Sequence, residues 1–222
     1  MKNKLTLFVV EPDGSGGLIH YIYQLCTALA LQGADVTLIT ATDYELDRLP
    51  HNFKVMKFLH LWKRFDDDTG SQNASRRLFI KIRRAFRALR WIMAWANLTM
   101  FIIHSKPDLI QFSKMYFAFD SWFISLLRKY GFVLTQICHE FEEREGQGRL
   151  EALLLGVDRN VYTNFSAIFF HAQENRSRFL SIYPSVSMAC TYIIPHGNSG
   201  WLLNFKTQLE DVERLKAQYK IN

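Results

Sequence analysis

The run Leu5-Thr-Leu-Phe-Val-Val10, followed at once by Glu11-Pro12 and then Asp13-Gly14-Ser15-Gly16-Gly17, constrains this chain most. A short apolar strand enters a glycine-rich turn, and the turn opens an amphipathic segment. Glycine permits positive φ and close approach of a ligand to the backbone. A helix starting there aims unpaired N–H groups and the positive end of its dipole at the turn, which suits a phosphate or a carboxylate. The first twenty residues therefore predict an α/β nucleotide- or sugar-phosphate-type fold.

The rest of the chain repeats this alternation. Leu18, Ile22, Leu25 and Leu29 recur at helical spacing, and Gly33 ends that helix. Ala34–Thr40 reads as a second buried strand and Lys54–Leu59 as a third. A polar loop with Asp66-Asp67-Asp68, read as solvated, precedes a long helix over roughly 75–104. Pro107–Phe112, Phe132–Ile137, Ala167–Phe170 and Thr191–Ile194 read as four further strands. Helices are expected over Met115–Tyr130, within 142–164, over Gln173–Tyr183 and from about Thr207 to the end. Such alternation argues for one α/β domain with a doubly wound, mainly parallel, Rossmann-like sheet, whose ligands bind beyond the carboxyl ends of the strands. The polar and glycine-bearing residues collect there: Asp13 to Gly17, Thr40 to Asp43, Ser113, His139-Glu140, His171 and His196-Gly197.

Composition excludes several classes. An apolar share of 49% supports a packed core rather than disorder. Cys26, Cys138 and Cys190 are far apart and lack metal-ligand spacing, so they read as reduced core thiols of a cytoplasmic protein. No His/Cys/Asp cluster has metal spacing, and no metal or bound cofactor is expected. The longest apolar stretch, Trp91 to Ile103, is shorter than the ~20 residues of a membrane span.

Two chemistries compete for the glycine turn. Gly14-Ser15-Gly16 supplies two glycines of the dinucleotide pattern G-x-G-x-x-G, but Ile19 stands at the third. The second strand ends at Thr40 without the ribose-binding acid, although Asp43 is close. A phosphate P-loop needs Gly-Lys-Ser/Thr, which is missing.

The second chemistry comes from a resemblance. Pro12-Asp-Gly-Ser-Gly-Gly17-Leu-Ile-His-Tyr-Ile-Tyr-Gln-Leu25, with Gly33-Ala-Asp-Val36-Thr-Leu-Ile-Thr40, resembles the opening of a family-4 retaining glycosyltransferase of the GT-B fold. Pro107-Asp108-Leu-Ile-Gln111 is similar to that family's "kPDvih" strand, and His139 to its "tvHd" strand end, with Glu140 in place of Asp. Ile194-Pro195-His196-Gly197-Asn198 resembles its "viphGvd" phrase. The resemblance covers about residues 4–200.

It implies a single lobe of a GT-B architecture. Residues 1–200 would be the N-terminal acceptor-binding domain, and 201–222 the start of a second, donor-binding lobe. The donor would be a nucleotide-sugar, and the acceptor a sugar or lipid-linked molecule in polysaccharide or glycolipid synthesis. Gly16 and Gly17, with Asp13 and Ser15, would contact donor phosphates or the acceptor. His139, the candidate catalytic residue, would bind and orient the transferred sugar; otherwise it is a satisfied loop histidine. Glu140 could contact acceptor hydroxyls, although a solvated acidic loop is the alternative, and His196 with Gly197 borders the inter-lobe hinge. The family's donor-lobe basic pair and Glu-x7-Glu motif have no counterpart here in place: Glu143 and Glu151 have that spacing in the wrong lobe. The chain alone is therefore expected to be inactive or incomplete. The alternatives are a non-catalytic membrane-recruiting subunit that completes a separate donor-lobe protein, and a dinucleotide-binding domain.

One segment carries much of the net charge of +6. Arg76, Arg77, Lys81, Arg83, Arg84, Arg87 and Arg90 follow one another with no acid between them. Phe79, Ile82, Phe86, Leu89, Met93, Ala96, Met100 and Phe101–Ile103 recur among and after them at a spacing of 3–4, the expected sheet-facing side. The cations then form either a solvated basic face or, with Trp91, Trp95 and the nearby Trp62, a surface for an anionic leaflet. A peripheral position on the cytoplasmic face of the membrane follows from the second reading. Nucleic-acid binding lacks a recognisable motif, and no nucleic-acid partner is expected.

Overall fold

The computed structural model describes residues 4–59, 74–117, 119–139, 141 and 160–195. Seven strands form one sheet: β1 (Thr6–Glu11), β2 (Asp35–Ala41), β3 (Lys54–Leu59), β4 (Leu109–Phe112), β5 (Leu134–Ile137), β6 (Ala167–Phe170) and β7 (Thr191–Ile193). Their spatial order is β3-β2-β1-β4-β5-β6-β7. Every neighbouring pair is parallel, so the sheet is Rossmann-like throughout. The chain order reverses between β1 and β4, where Val10 lies beside Phe112. That switch point opens a crevice at the carboxyl ends of the two strands.

Parallel crossovers put helices on both faces. These are α1 (Gly17–Leu31), α2 (Ala74–Ser105), α3 (Asp120–Lys129) and α4 (Gln173–Ile182). Alternation along β1 sorts the two layers. Leu7 and Val9 pack with Val36, Leu38 and the buried side of α1, Ile19, Ile22 and Cys26. Phe8 and Val10 face the larger core, built with Trp91, Trp95, Leu98 and Ile102 of α2, Ile124 and Leu127 of α3, and Phe179 of α4. Gly33 ends α1 at φ 96, the left-handed conformation for which glycine is the natural choice.

The α2 layer departs from its sequence reading. Trp91 and Trp95 are only 1% and 2% exposed, and Arg87 is 7% exposed with its guanidinium over the Phe117 ring. Trp95 stacks between Phe112 and Phe123, and the Trp91 indole N–H donates to Asp120 Oδ1 at 2.9 Å. These three residues are therefore core, and their expected place on a membrane surface is corrected. A ring of that size wedged between strand and helix has no route to a lipid surface. The helix is turned: Phe79, Ile82, Phe86, Leu89, Met93 and Met100 point outward.

Asp120 also explains why α3 starts five residues later than its pattern suggests. Its buried Oδ2 accepts the N–H groups of Tyr116 at 2.8 Å and Phe117 at 3.0 Å, which ties these two residues to the start of the helix and keeps them out of it. Within 142–164, Val161–Asn164 forms a short 3-10 helix. Asp66–Asp68, Glu143, Glu151, Trp62, and the expected helix and domain boundary after residue 200 lie outside the described residues. No described helix is long and apolar enough to cross a membrane.

Candidate functional site

The site is the carboxyl edge of the sheet around the switch point. Apolar β1 ends in Glu11, which is fully buried, and the chain then turns through Pro12–Gly16 into α1. Glu11 Oε1 accepts the Asp13 N–H at 2.8 Å. Removal from water pushes the Glu11 carboxyl up from its ordinary 4.5 to about 8. The Ser113 hydroxyl and the Asp13 N–H pull against this rise, the Asp13 carboxylate adds to it, and Lys114 opposes it. A buried carboxyl here is protonated near neutrality and can donate as well as accept a hydrogen bond.

The glycines differ in what they do. A Cβ on Gly14 would sit 2.7 Å from Asp43 Oδ1 and 2.9 Å from the Asp43 carbonyl carbon, so only glycine lets this turn touch the loop after β2. Gly16 has φ 94, a backbone requirement. A Cβ on Gly17 would meet nothing within 4 Å and the position needs no special φ, so its bareness serves neither packing nor conformation. The Gly16 N–H is already engaged: it donates to Glu45 Oε1 at 2.9 Å, and the same oxygen pairs with His20 Nε2 at 2.9 Å. The Glu45 N–H returns to the Gly14 carbonyl at 2.8 Å. A carboxylate from the loop after β2 thus occupies an anion position at the start of α1. Ser15 is exposed, and Asp13 is half-buried with its carbonyl accepting from Thr40 Oγ1 at 3.3 Å.

Across the crevice, the end of β5 supplies His139 and the end of β6 supplies His171. Their rings are 4.8 Å apart, and Tyr21 of α1 stands edge-on to both, at 5.3 and 5.0 Å. His171 Nδ1 lies 3.1 Å from the Ile194 carbonyl, so that tautomer donates to the backbone just before Pro195. Ser113, following β4, is buried and donates to the Val10 carbonyl at 2.9 Å. The structure therefore brings Asp13, Ser15, Gly16, Gly17 and His139 to one edge. Glu140, His196 and Gly197 lie outside the described residues. Among the described residues no His/Cys/Asp/Glu cluster could hold a metal.

Three members of this edge carried no sequence signal strong enough to single them out. Glu11 follows an unbroken apolar run, and that position alone hinted at it. Tyr21 reads as an ordinary helix residue. Glu45 belongs to a loop whose fold depends on contact with Gly14.

Solved structures answer what this architecture is. A glycosyltransferase from Rickettsia africae aligns over 99% of this chain and 50% of its own, with a TM-score of 0.56 at 14% identity. The chain has the fold of one GT-B lobe. HepE of Anabaena, solved in complex with UDP-glucose, aligns over 97% of this chain and 50% of its own, with a TM-score of 0.55 at 12% identity. The calicheamicin glycosyltransferase CalG4 aligns over 90% and 54%, with a TM-score of 0.53 at 12% identity. This GT-B lobe thus spans about half the length of the glycosyltransferases it matches. No protein-family model matches it, and no curated protein matches its sequence. Ile19, at the third glycine position of the dinucleotide pattern, is fully buried in the core that α1 makes with the sheet.

Proposed function

We propose that this chain is the N-terminal, acceptor-binding lobe of a retaining, family-4-like glycosyltransferase. It works with a donor lobe to transfer sugar from a nucleotide-sugar to a membrane-associated acceptor in polysaccharide or glycolipid synthesis. The observation that carries the reading is the glycine turn and His139 at the switch-point edge of a lobe half the length of its glycosyltransferase neighbours.

The chemistry of that edge supports the acceptor side. Asp13 and Glu45 are hydrogen-bond acceptors suited to sugar hydroxyls, and Glu45 already faces the Gly16 N–H where a phosphate would compete with it. The bare Gly17 leaves room for a sugar ring to lie against the backbone. His139, braced by Tyr21 and His171, orients the transferred sugar from the opposite wall. The donor's diphosphate is then held chiefly by the second lobe, with the N-terminus of α1 stabilising charge that develops on the leaving group.

The test is transfer from UDP-sugars to lipid acceptors in a membrane extract, with the chain alone and with a donor-lobe polypeptide supplied. Transfer that needs both polypeptides and falls about tenfold or more in Gly17→Val supports the reading. Full transfer by Gly17→Val and His139→Ala overturns the site. Binding of NADH, with no UDP-sugar binding or transfer in either arrangement, overturns the function.

A further inference from the structure

Glu11 ends β1 at the switch point, fully buried, and no step of the proposed transfer uses it. Burying a carboxyl is costly unless each oxygen finds a donor or the group keeps its proton. Oε1 has a donor, the Asp13 N–H at 2.8 Å. Oε2 is buried and has no hydrogen-bond partner among the described residues. Ser113, which follows β4, lies against the same carboxyl, yet its hydroxyl donates to the Val10 carbonyl at 2.9 Å. Lys114, next along, sets its ammonium over the Tyr116 ring at 5.1 Å. One committed N–H for two buried oxygens suits a neutral acid and penalises a carboxylate.

The same side chain joins two arms of the chain. Asp13 opens the glycine turn after β1, and Ser113 opens the loop after β4. These strands lie side by side where the chain order reverses, with Val10 beside Phe112. The charged groups that act on Glu11 are Asp13 from the turn, which opposes ionisation, and Lys114 from the loop after β4, which favours it. The other titratable groups around the turn are engaged elsewhere. On α1, His20 pairs with Glu45, and Tyr21 faces His139 and His171. From the loop after β2, Asp43 lies against Gly14 and Glu45 takes the Gly16 N–H.

We propose that Glu11 is a positioning residue of the crevice: as a neutral acid it fastens the glycine turn to the end of β4, and when it loses its proton the turn opens locally so that water reaches the charge. The proposal rests on the preceding reading for its purpose, since an open turn no longer holds Gly16 and Gly17 against a ligand. Removal from water raises the carboxyl to about 8 in the closed turn, against 4.5 in solution. Ionisation therefore favours the open turn, by about tenfold for each pH unit between those values. The closed turn is held most firmly below about pH 4.5, weakens as pH rises, and levels off above about 8.

Hydrogen exchange of the full chain between pH 6 and pH 9, each rate corrected for its intrinsic pH dependence, tests this. The amides of Asp13–Gly17 are expected to be at least about tenfold less protected than those of Val9 and Val10, because the turn opens without the strand. Their protection should drop about fiftyfold from pH 6 to pH 8 and level by pH 9. Glu11→Gln keeps an acceptor for the Asp13 N–H and cannot ionise, so its turn protection should stay flat over this range. The wild-type profile decides by itself if that variant folds poorly. Turn protection that does not change with pH overturns the proposal. Protection equal to that of Val9 and Val10 at every pH also overturns it, because Glu11 then acts on the whole fold rather than on the turn. So does a Glu11→Gln chain that loses protection as the wild type does. No sugar, nucleotide or second polypeptide enters the experiment, so it can fail while UDP-sugar transfer holds, and the reverse.

Discussion

The two long helices that flank the sheet differ in how many apolar faces they carry. α1 has one: Ile19, Ile22 and Cys26 are fully buried, with Leu18, Leu25 and Leu29 packed around them. α2 has two: an aromatic inner face of Trp91, Trp95, Leu98 and Ile102, and an aliphatic and phenyl outer stripe from Phe79 to Met100. A helix with one apolar face has one way to lie on a sheet. A helix with two must choose, and the larger rings with a hydrogen-bonding handle decide the choice. Trp91 reaches Asp120, and nothing on the outer stripe offers an equivalent partner.

The strongest way to break this contrast is to attack the inner face. Trp95→Ala should cost about 3–5 kcal/mol in urea unfolding, because a large buried ring leaves a cavity beside Phe112 and Phe123. A cost near zero would mean that the inner face is not the anchor. Asp120→Ala should cost about 3 kcal/mol by the same measurement, since it strands the buried donors of Trp91, Tyr116 and Phe117.

At the entrance to α1 the sharper probe is pH. The folded chain holds a proton on Glu11 that the unfolded chain releases above its ordinary 4.5. This group's contribution is therefore complete below about pH 4.5 and is lost as pH rises through about 8, where the curve levels. The loss should be on the order of 5 kcal/mol, at ~1.4 kcal/mol for each pH unit between the two values, and Glu11→Gln should remove it. Thermal unfolding at pH 5, 7 and 9 reads the difference, and identical profiles for the two chains would count against a buried, protonated carboxyl. Gly16→Ala should cost about 1 kcal/mol from its positive φ, while Gly17→Ala leaves stability unchanged. The smallest effect belongs to the outer stripe. Phe86→Ser or Met93→Ser should shift stability by no more than about 0.5 kcal/mol, in direct contrast with Trp95→Ala.

The strands and the crossovers were legible because their signals are local. Lys54–Leu59 and Ala167–Phe170 appear in the fold with the bounds their residue pattern predicts. α3 was misread at its start because the side chain that stops it, Asp120, acts through backbone groups three and four residues earlier. The α2 face was misread because periodicity identifies apolar stripes but does not rank two of them. At the site, Gly16, Gly17 and His139 stood out through turn chemistry and strand-end position. Tyr21 and Glu45 did not, since each owes its place to partners distant in the chain.

What the sequence determined by itself is the α/β alternation, the glycine turn after β1 and the basic character of α2, because each is written in neighbouring residues. Only the tertiary structure decided that Trp91 and Trp95 are core while Phe86 and Met93 face solvent, and that Glu45 fills the anion position at Gly16. Those outcomes depend on which surfaces compete for one sheet and which loops meet across it, and such competition is settled by three-dimensional packing rather than by spacing along the chain.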